Sequence, residues 1–519
     1  MTALSAASTA FRESYLDADT LDLTGDADWN KFDARRLRYD LLDAYFQGNA
    51  YRTIHNWSKK MKADFGLYKY TRDIYNPSFR LGSFYRSHVW GGWLDMAAGD
   101  GVAEPSALPI LTENENLRLA LAQLWRDSNW KTARKLVPMG GAVRGDAIIQ
   151  IIDDPERGKV YLKSIHPGVI SGLDKDAYGN VKAYQIEYLR SDPNSTAKTA
   201  VYAERVTRDG DMVVYELLKD GHPYHWGNVD GDGNPIDTWG VPYGFVPMVH
   251  IKHFDLGLDW GMSELMPRLP LFREVDDQGS KLNDQIRKMV EAPALFAGVK
   301  APDSNPSTTR TAPTATRPEI GREEAPAIYS TDPNAKVHFL VAPLDIEAVA
   351  NKIKDDLELL EKDYPELALM RAIQGSGENV SGIALERLQL QAAEKVQDYR
   401  DTYDDALVRA QQMAVAIGGW RDYPGYGGFG LESYDQGVLT HEIARRPVFT
   451  PTTSQQIDYD QKRAQTAKTK VESGWPLLEV LRDADIDDAV IDRIAASPEY
   501  MARLAMVQMG LQAANGNNG

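Results

Sequence analysis

The spacing of apolar residues changes twice along this chain, and those two changes limit its possible folds more than any motif does. In "RRLRYDLLDAYFQGNAYR", Leu37, Leu41, Leu42 and Tyr45 recur at intervals of three and four, which predicts a helix within residues 30–65. Asn76-Pro77 marks a turn into a second, aromatic-rich helix that ends at Gly91-Gly92, and residues 114–140 read as another. From about residue 142 the period falls toward two. The runs "AIIQIID", "KVYLKSI", "VKAYQIEYL", "TAVYAERVT" and "DMVVYELLKD" are short and rich in β-branched or aromatic residues, with turn signals at Asp176–Gly179 and Asp209-Gly210 between them. They predict an antiparallel β region, and with the preceding helices an α+β body over the first 255 residues.

Beyond residue 260 the helical period returns. "WGMSELMPRLPLFREVDDQGSKLNDQIRKMVEAP" predicts a helix opened by Ser263 with Glu264 in its first turn, interrupted by Pro267 and Pro270 and ended before Pro293. The next stretch, around 302–326, is too rich in Pro, Thr and Ser to build a core of its own and is expected to be an exposed or partner-dependent loop. A short β-like run, "KVHFLVAPLD", leads into a helix at 345–363. The segment "GSGENVSG" follows, then a long helix from 383 to about 417, broken by "GGWRDYPGYGGFG". The last 70 residues predict a polar helix near 454–473, two short amphipathic helices and a Gly/Asn tail. At 519 residues the chain exceeds one compact core and is expected to form two to four units.

Composition narrows the function. There are no cysteines and nine histidines, so disulfides and thiolate metal sites are excluded and any zinc site would need His and carboxylates alone. The absence of cysteine fits a reducing compartment. No run of about 18 apolar residues suggests a membrane span, and the opening "MTALSAASTAFRESYLDADT" lacks the basic-then-apolar pattern of a secretory signal. A net charge of -17 disfavours a protein whose task is to grip DNA phosphates, though not one past which DNA slides.

The candidate motifs mostly dissolve on inspection. Gly377 to Gly382 has the glycine spacing of a phosphate-binding loop, but Ile383 and Ala384 stand where Lys and Ser/Thr are required, so a flexible loop is the better reading. "DGDGNP" begins like a calcium loop with Asp230, Asp232 and Asn234, yet Pro235 replaces the essential Gly and Val241 the closing Glu, which predicts a turn. His222 to His225 has no further ligand at suitable spacing. No residue set selects a catalytic centre, and no metal or cofactor is expected. The helix at 345–363 carries Asp345, Glu347, Asp355, Asp356, Glu358, Glu361 and Asp363 against three lysines. A solvated face explains this balance, and so does a surface that repels DNA.

Taken in order, the pieces resemble the portal proteins of tailed bacteriophages, most nearly the siphovirus type. "VPMVHIKHFDLGLDWGMSELMPRLPLFREVDDQGSKLNDQIRKM" is similar to the segment by which those proteins leave the wing and enter the stem. "SGIALERLQLQAAEKVQDYRD" resembles the start of their long post-loop helix, and "RYDLLDAYFQGN" and "YNPSFRLGSFYRSHVWGG" their opening helices. The resemblance covers about 30–440 and implies a portal-type α+β fold. Its parts would be an N-terminal arm at 1–29, a wing at 30–263, a stem helix at 264–291 and a clip at 292–343. They would continue with a second stem helix at 344–363, a tunnel loop at 364–382, a long helix and second wing part at 383–450, and a crown and tail at 451–519.

The same resemblance implies a ring, typically of twelve subunits, at one capsid vertex of the virion, assembled in the host cytoplasm. Double-stranded DNA would be packaged and ejected through its channel. The partners implied are further copies of the chain, the large terminase subunit, the major capsid and scaffolding proteins and the head–tail connector, with no membrane and no enzymatic turnover. Arg371, Gln374, Gly375, Ser376, Gly377, Glu378, Asn379, Ser381 and Gly382 would touch DNA, with Arg371 and Glu378 cancelling in charge. Asp355, Asp356 and Glu358 would line the channel in the stem, and Arg310, Arg317 and Arg322 would serve docking at the clip. Two alternatives remain: a minor head protein without a channel, and an unrecognised cytoplasmic nucleic-acid enzyme.

Overall fold

Three antiparallel strands and the helices laid against them form the centre of the molecule. The computed structural model describes residues 31–51, 74–91, 108–192, 199–290, 346–374, 382–444 and 446–449, with short pieces at 295–297, 328–330, 333–334, 461–462 and 465–471 and single positions beyond. The chain divides into two units, 1–448 and 449–519. In the second, the described residues 461–462 and 465–471 are helical.

The first unit opens with α1 (Phe32–Phe46) and α2 (Pro77–His88). Gly48, in the left-handed region at φ 66°, follows the end of α1. Asn76 caps α2 by accepting the Phe79 N–H, with Pro77 at its first position. A short strand β1 (Ile110–Leu111) leads to α3 (Glu115–Asp127), α4 (Trp130–Ala133) and α5 (Leu136–Arg144). The single helix expected at 114–140 is therefore broken twice, at Ser128-Asn129, where the Asn129 backbone is left-handed at φ 48°, and at Arg134-Lys135.

Next come β2 (Asp146–Asp154), β3 (Lys159–Ile165), β4 (Ile170–Lys175), β5 (Val181–Ser191), β6 (Thr199–Asp209), β7 (Met212–Lys219), β8 (His222–Pro223), β9 (Thr238–Val241) and β10 (Met248–Lys252). They form two antiparallel sheets, one ordered β10-β2-β3 and one β4-β5-β6-β7-β8 with β9 also on β7. The expected antiparallel region is present, and the protein is mixed α+β. The "DGDGNP" segment is a turn, closed by Asp230 accepting the N–H groups of Asp232 and Asn234.

The second half contains α6 (Leu269–Val290), the parallel strand pair β11 (Leu295–Ala297) and β12 (Ile328–Ser330), and α7 (Ile346–Asp363). It continues with α8 (Pro365–Gln374), the 39-residue α9 (Gly382–Trp420), the short α10 (Leu431–Asp435) and β13 (Glu442–Ile443), which pairs with β1. The first stem helix starts later than expected. Residues Met266–Arg268 form a 3-10 turn and α6 begins only at Leu269, because Pro270 fits the first turn of a helix but neither proline fits an interior. Glu264 is consequently outside the helix.

α6 and α7 run antiparallel: Arg268 pairs with Asp363 at 2.6 Å, and Phe272 packs against Leu360 and Tyr364. Their roots share one core with α1, α2 and α5, built from Leu42, Leu81, Val143, Leu265, Phe272, Leu360, Tyr364 and Leu367. The face of α9 buried from Ala392 to Ile417 packs against β2, β3 and β10. Its end is fastened by Asp153 of β2, which accepts from Tyr243 (2.6 Å), Tyr423 (2.7 Å) and Arg421 (2.9 Å).

Candidate functional site

A group of buried ionisable side chains lies where the turn before α6 meets α8 and α9. It begins with backbone. After β10 the chain turns back over the C-terminus of α5, where Ser263 Oγ donates to Val143 O (2.6 Å) and the Glu264 N–H to Ala142 O (3.0 Å). Carbonyls left open at the helix end are thereby satisfied, and Glu264 is fixed in position.

The Glu264 carboxylate, only 9% exposed, accepts from Tyr399 Oη (2.8 Å) and His253 Nε2 (3.3 Å) and forms a close ion pair with Lys395. Tyr364 Oη donates to the Glu264 carbonyl at 2.7 Å. Lys395 also reaches Glu366 of α8 at 3.1 Å, and Glu366 accepts from Tyr85 of α2 at 2.9 Å. His253 stacks on Tyr399 with ring centres 4.0 Å apart, and its Nδ1 lies 3.0 Å from Tyr403 Oη. A carboxylate can only accept, so His253 donates from Nε2 and accepts at Nδ1. Five separate stretches of chain meet here: α2, β10 with its exit, the turn before α6, the start of α8 and two turns of α9.

Two carboxylates share one lysine, and their environments separate them. Burial raises the Glu264 acid, but the His253 hydrogen bond and the Lys395 charge outweigh it and hold it at about 2. Glu366 is raised above the usual range, first by burial and then by the charge of Glu264, against the pull of Lys395. Burial lowers His253 despite Glu264 and keeps it neutral near pH 7. The arrangement resembles acid–base machinery in residue types. Its members are nevertheless spent on one another: the side chains of His253, Glu264 and Glu366 are 0%, 8% and 0% exposed. The group ties the turn before α6 to α8 and α9.

The residues singled out in the sequence fall elsewhere. Residues 364–382 were expected as loop, but Pro365–Gln374 is α8. "ELALMRAIQ" consists of good helix formers, with Pro365 first, Glu366 in the first turn and Arg371 in the last. Arg371 of α8 grips Glu361 of α7 with both carboxylate oxygens at 3.0 and 2.9 Å; Glu378, expected to balance its charge, lies outside the described residues. Gln374 ends α8 and Gly382 begins α9; Gly375, Ser376, Gly377, Glu378, Asn379 and Ser381 lie outside the described residues. Arg310, Arg317 and Arg322 do too.

On α7, Asp355 and Glu358 are exposed, whereas Asp356 is 4% exposed and paired with Lys352. Asp356 therefore faces the helix pair rather than solvent in the single chain. It falls on the inner stripe with Leu360, one helical turn away, a position that a count of acids along α7 does not reveal. The Glu264 group was missed altogether, because its members are scattered through the sequence with no spacing signal. No protein-family model and no curated protein matches the chain.

Proposed function

We propose that this chain is the subunit of a phage-type portal ring, a channel for double-stranded DNA at one capsid vertex of a virion. The observation that carries the reading is the order and packing of the second half. An antiparallel helix pair, α6 and α7, is rooted in the core of a mixed α/β body and encloses residues 291–345 between its far ends. A short helix, the glycine-rich segment 375–381 and a 39-residue helix laid over the small sheet then follow. In a portal these parts serve as wing, stem, clip, tunnel segment and wing-crossing helix.

On this reading the ring has about twelve subunits, as is typical of the family the sequence resembles. The clip meets the terminase during packaging and the head–tail connector afterwards, and capsid and scaffolding proteins surround the wing. The acidic face of α7, with Glu347, Asp355 and Glu358 exposed, repels DNA and keeps it from sticking. Glu264, Lys395 and Glu366 couple the stem root to the helix just before segment 375–381, so a movement of the stem reaches the DNA-facing segment through ion pairs.

Apolar side chains exposed on these helices supply subunit contacts: Ile286 on α6 (39% exposed), Leu359 on α7 (43%), Ile373 on α8 (65%) and Leu390 on α9 (57%). The native chain has no cysteine, so paired introduced cysteines report those contacts without background. Oxidised single-pair variants that combine I286C with L359C or with L390C are expected to give a ladder of covalent oligomers ending in a closed ring. A chain that stays monomeric on the gel in every pair refutes the proposed arrangement.

A further inference from the structure

A cavity of about 620 Å³ opens between the two sheets. On its floor is Glu204 of β6, with Ile186 of β5 and Leu217 of β7 directly beside it in register. Tyr184 Oη donates to Glu204 Oε1 at 3.0 Å and accepts from Gln150 of β2 at 3.2 Å, bridging the sheets. The second oxygen of Glu204 has no hydrogen-bond donor among the described residues. Lys163 bears on it electrostatically without forming an ion pair.

Aromatic walls flank the carboxylate. Tyr215 and Trp239 stack with centres 5.1 Å apart and planes within 2°, and Tyr184 and Tyr243 complete the lining. Asp153 is also in the wall, but Arg421, Tyr243 and Tyr423 already saturate it. At the rim, the turn after β2 brings Asp154 and Glu156. Arg157 shares Asp154 at 3.7 Å with its own side chain 76% exposed, so it can be displaced into water.

Each ligand class meets this lining differently. An anion is repelled by Glu204, Asp154 and Glu156, and Arg421, which also lines the cavity, is already paired with Asp153. An uncharged apolar group covers the free oxygen of Glu204 without supplying a donor, at a desolvation cost. An ammonium group supplies that donor, neutralises the acid and gains from the faces of the surrounding rings. Burial raises the Glu204 acid above the usual carboxylate range, against the Tyr184 hydrogen bond and the charge of Lys163. The volume lies within the range of about 300–1,000 Å³ that holds a small molecule, and the lining offers carboxylates on β6 and at the end of β2, so a ligand with more than one ammonium group can engage both.

We propose that this cleft is a binding site for a linear aliphatic polyamine, with one ammonium on Glu204 among Tyr184, Tyr215 and Trp239 and another at Asp154 and Glu156. The idea is independent of the portal reading and stands or falls without it. Titration calorimetry of the full chain with spermidine is expected to show saturable binding. Glu204→Gln, which keeps shape and removes charge, should weaken it about tenfold, and Trp239→Leu likewise. The rim pair Asp154→Asn with Glu156→Gln should weaken it by about threefold. Magnesium at matched ionic strength should not compete with spermidine. Absence of saturable heat from the wild-type chain overturns the proposal. So does affinity unchanged by both Glu204→Gln and Trp239→Leu when their melting curves match the wild type, or full displacement of spermidine by magnesium.

Discussion

Glu264 and Lys395 are 131 residues apart in sequence and form a partly buried ion pair that joins the turn before α6 to the long helix α9. Lys395 extends the link to Glu366, so one ammonium holds two carboxylates from two other segments. A pair so placed is more informative about geometry than about stability. A hydrophobic substitute of equal volume could hold the helices together, but it would not set their angle as narrowly.

Removing one member should therefore be costly. Lys395→Met leaves Glu264 and Glu366 buried without their cation and is expected to destabilise the chain by about 3 to 5 kcal/mol. Adding Glu264→Gln to Lys395→Met should recover part of that loss, because the stranded charge is then gone. Urea melts of the two single variants and the double variant, analysed as a cycle, give the coupling directly.

Acid should weaken the fold in two stages. Burial lowers His88, His250, His253 and His441, so the unfolded chain takes up protons near pH 6.5 that the folded chain refuses. Their contribution is present above about pH 6.5 and is lost as pH falls below it. Glu264, held at about 2 against an ordinary 4.5, adds stability that is present above 4.5 and disappears as pH falls from there toward 2. The melting temperature is expected to fall between pH 7.5 and 5, with a further drop below 4.5, and His441→Gln should flatten the first stage. A melting temperature independent of pH between 7.5 and 5 contradicts this.

Gly141 of α5 is fixed by Tyr403 of α9. A methyl group at that position would lie 1.7 Å from the tyrosine hydroxyl, which is itself held by His253. Gly141→Ala is expected to cost about 2 kcal/mol or more, and Tyr403→Phe in the same chain should return part of it by removing the clashing oxygen. Thermal denaturation of the three variants is sufficient.

If segment 375–381 touches moving DNA, shortening it must show in DNA handling and leave assembly intact. Deletion of 376–379 is expected to leave the oligomer unchanged and to lower packaging and retention of DNA. Unchanged packaging with that deletion removes the segment from the channel.

Much of the architecture was legible because its signals are local. Of the six strands from β2 to β7, all but β4 were visible as short β-branched or aromatic runs, and α9 as apolar residues from Leu385 to Tyr403 at helical spacing. β10 was not, because "MVHIK" is short, and its first four residues are all buried and give no alternation. The true start of α6 was hidden because a proline reads as a breaker until the structure shows whether it sits inside the helix or at its first turn. The Glu264 group was beyond reach for a different reason. Its residues run from Tyr85 to Tyr403, each unremarkable in its own segment, and only the packing of α2, α8 and α9 brings them together.

Electron microscopy of the purified chain, with native mass measured on the same sample, tests the central claim most directly. The portal reading predicts rings with a central hole wide enough for a DNA duplex and a mass near twelve times 57.9 kDa. A compact oligomer of two to four subunits without a hole would contradict it and favour a head protein of another kind.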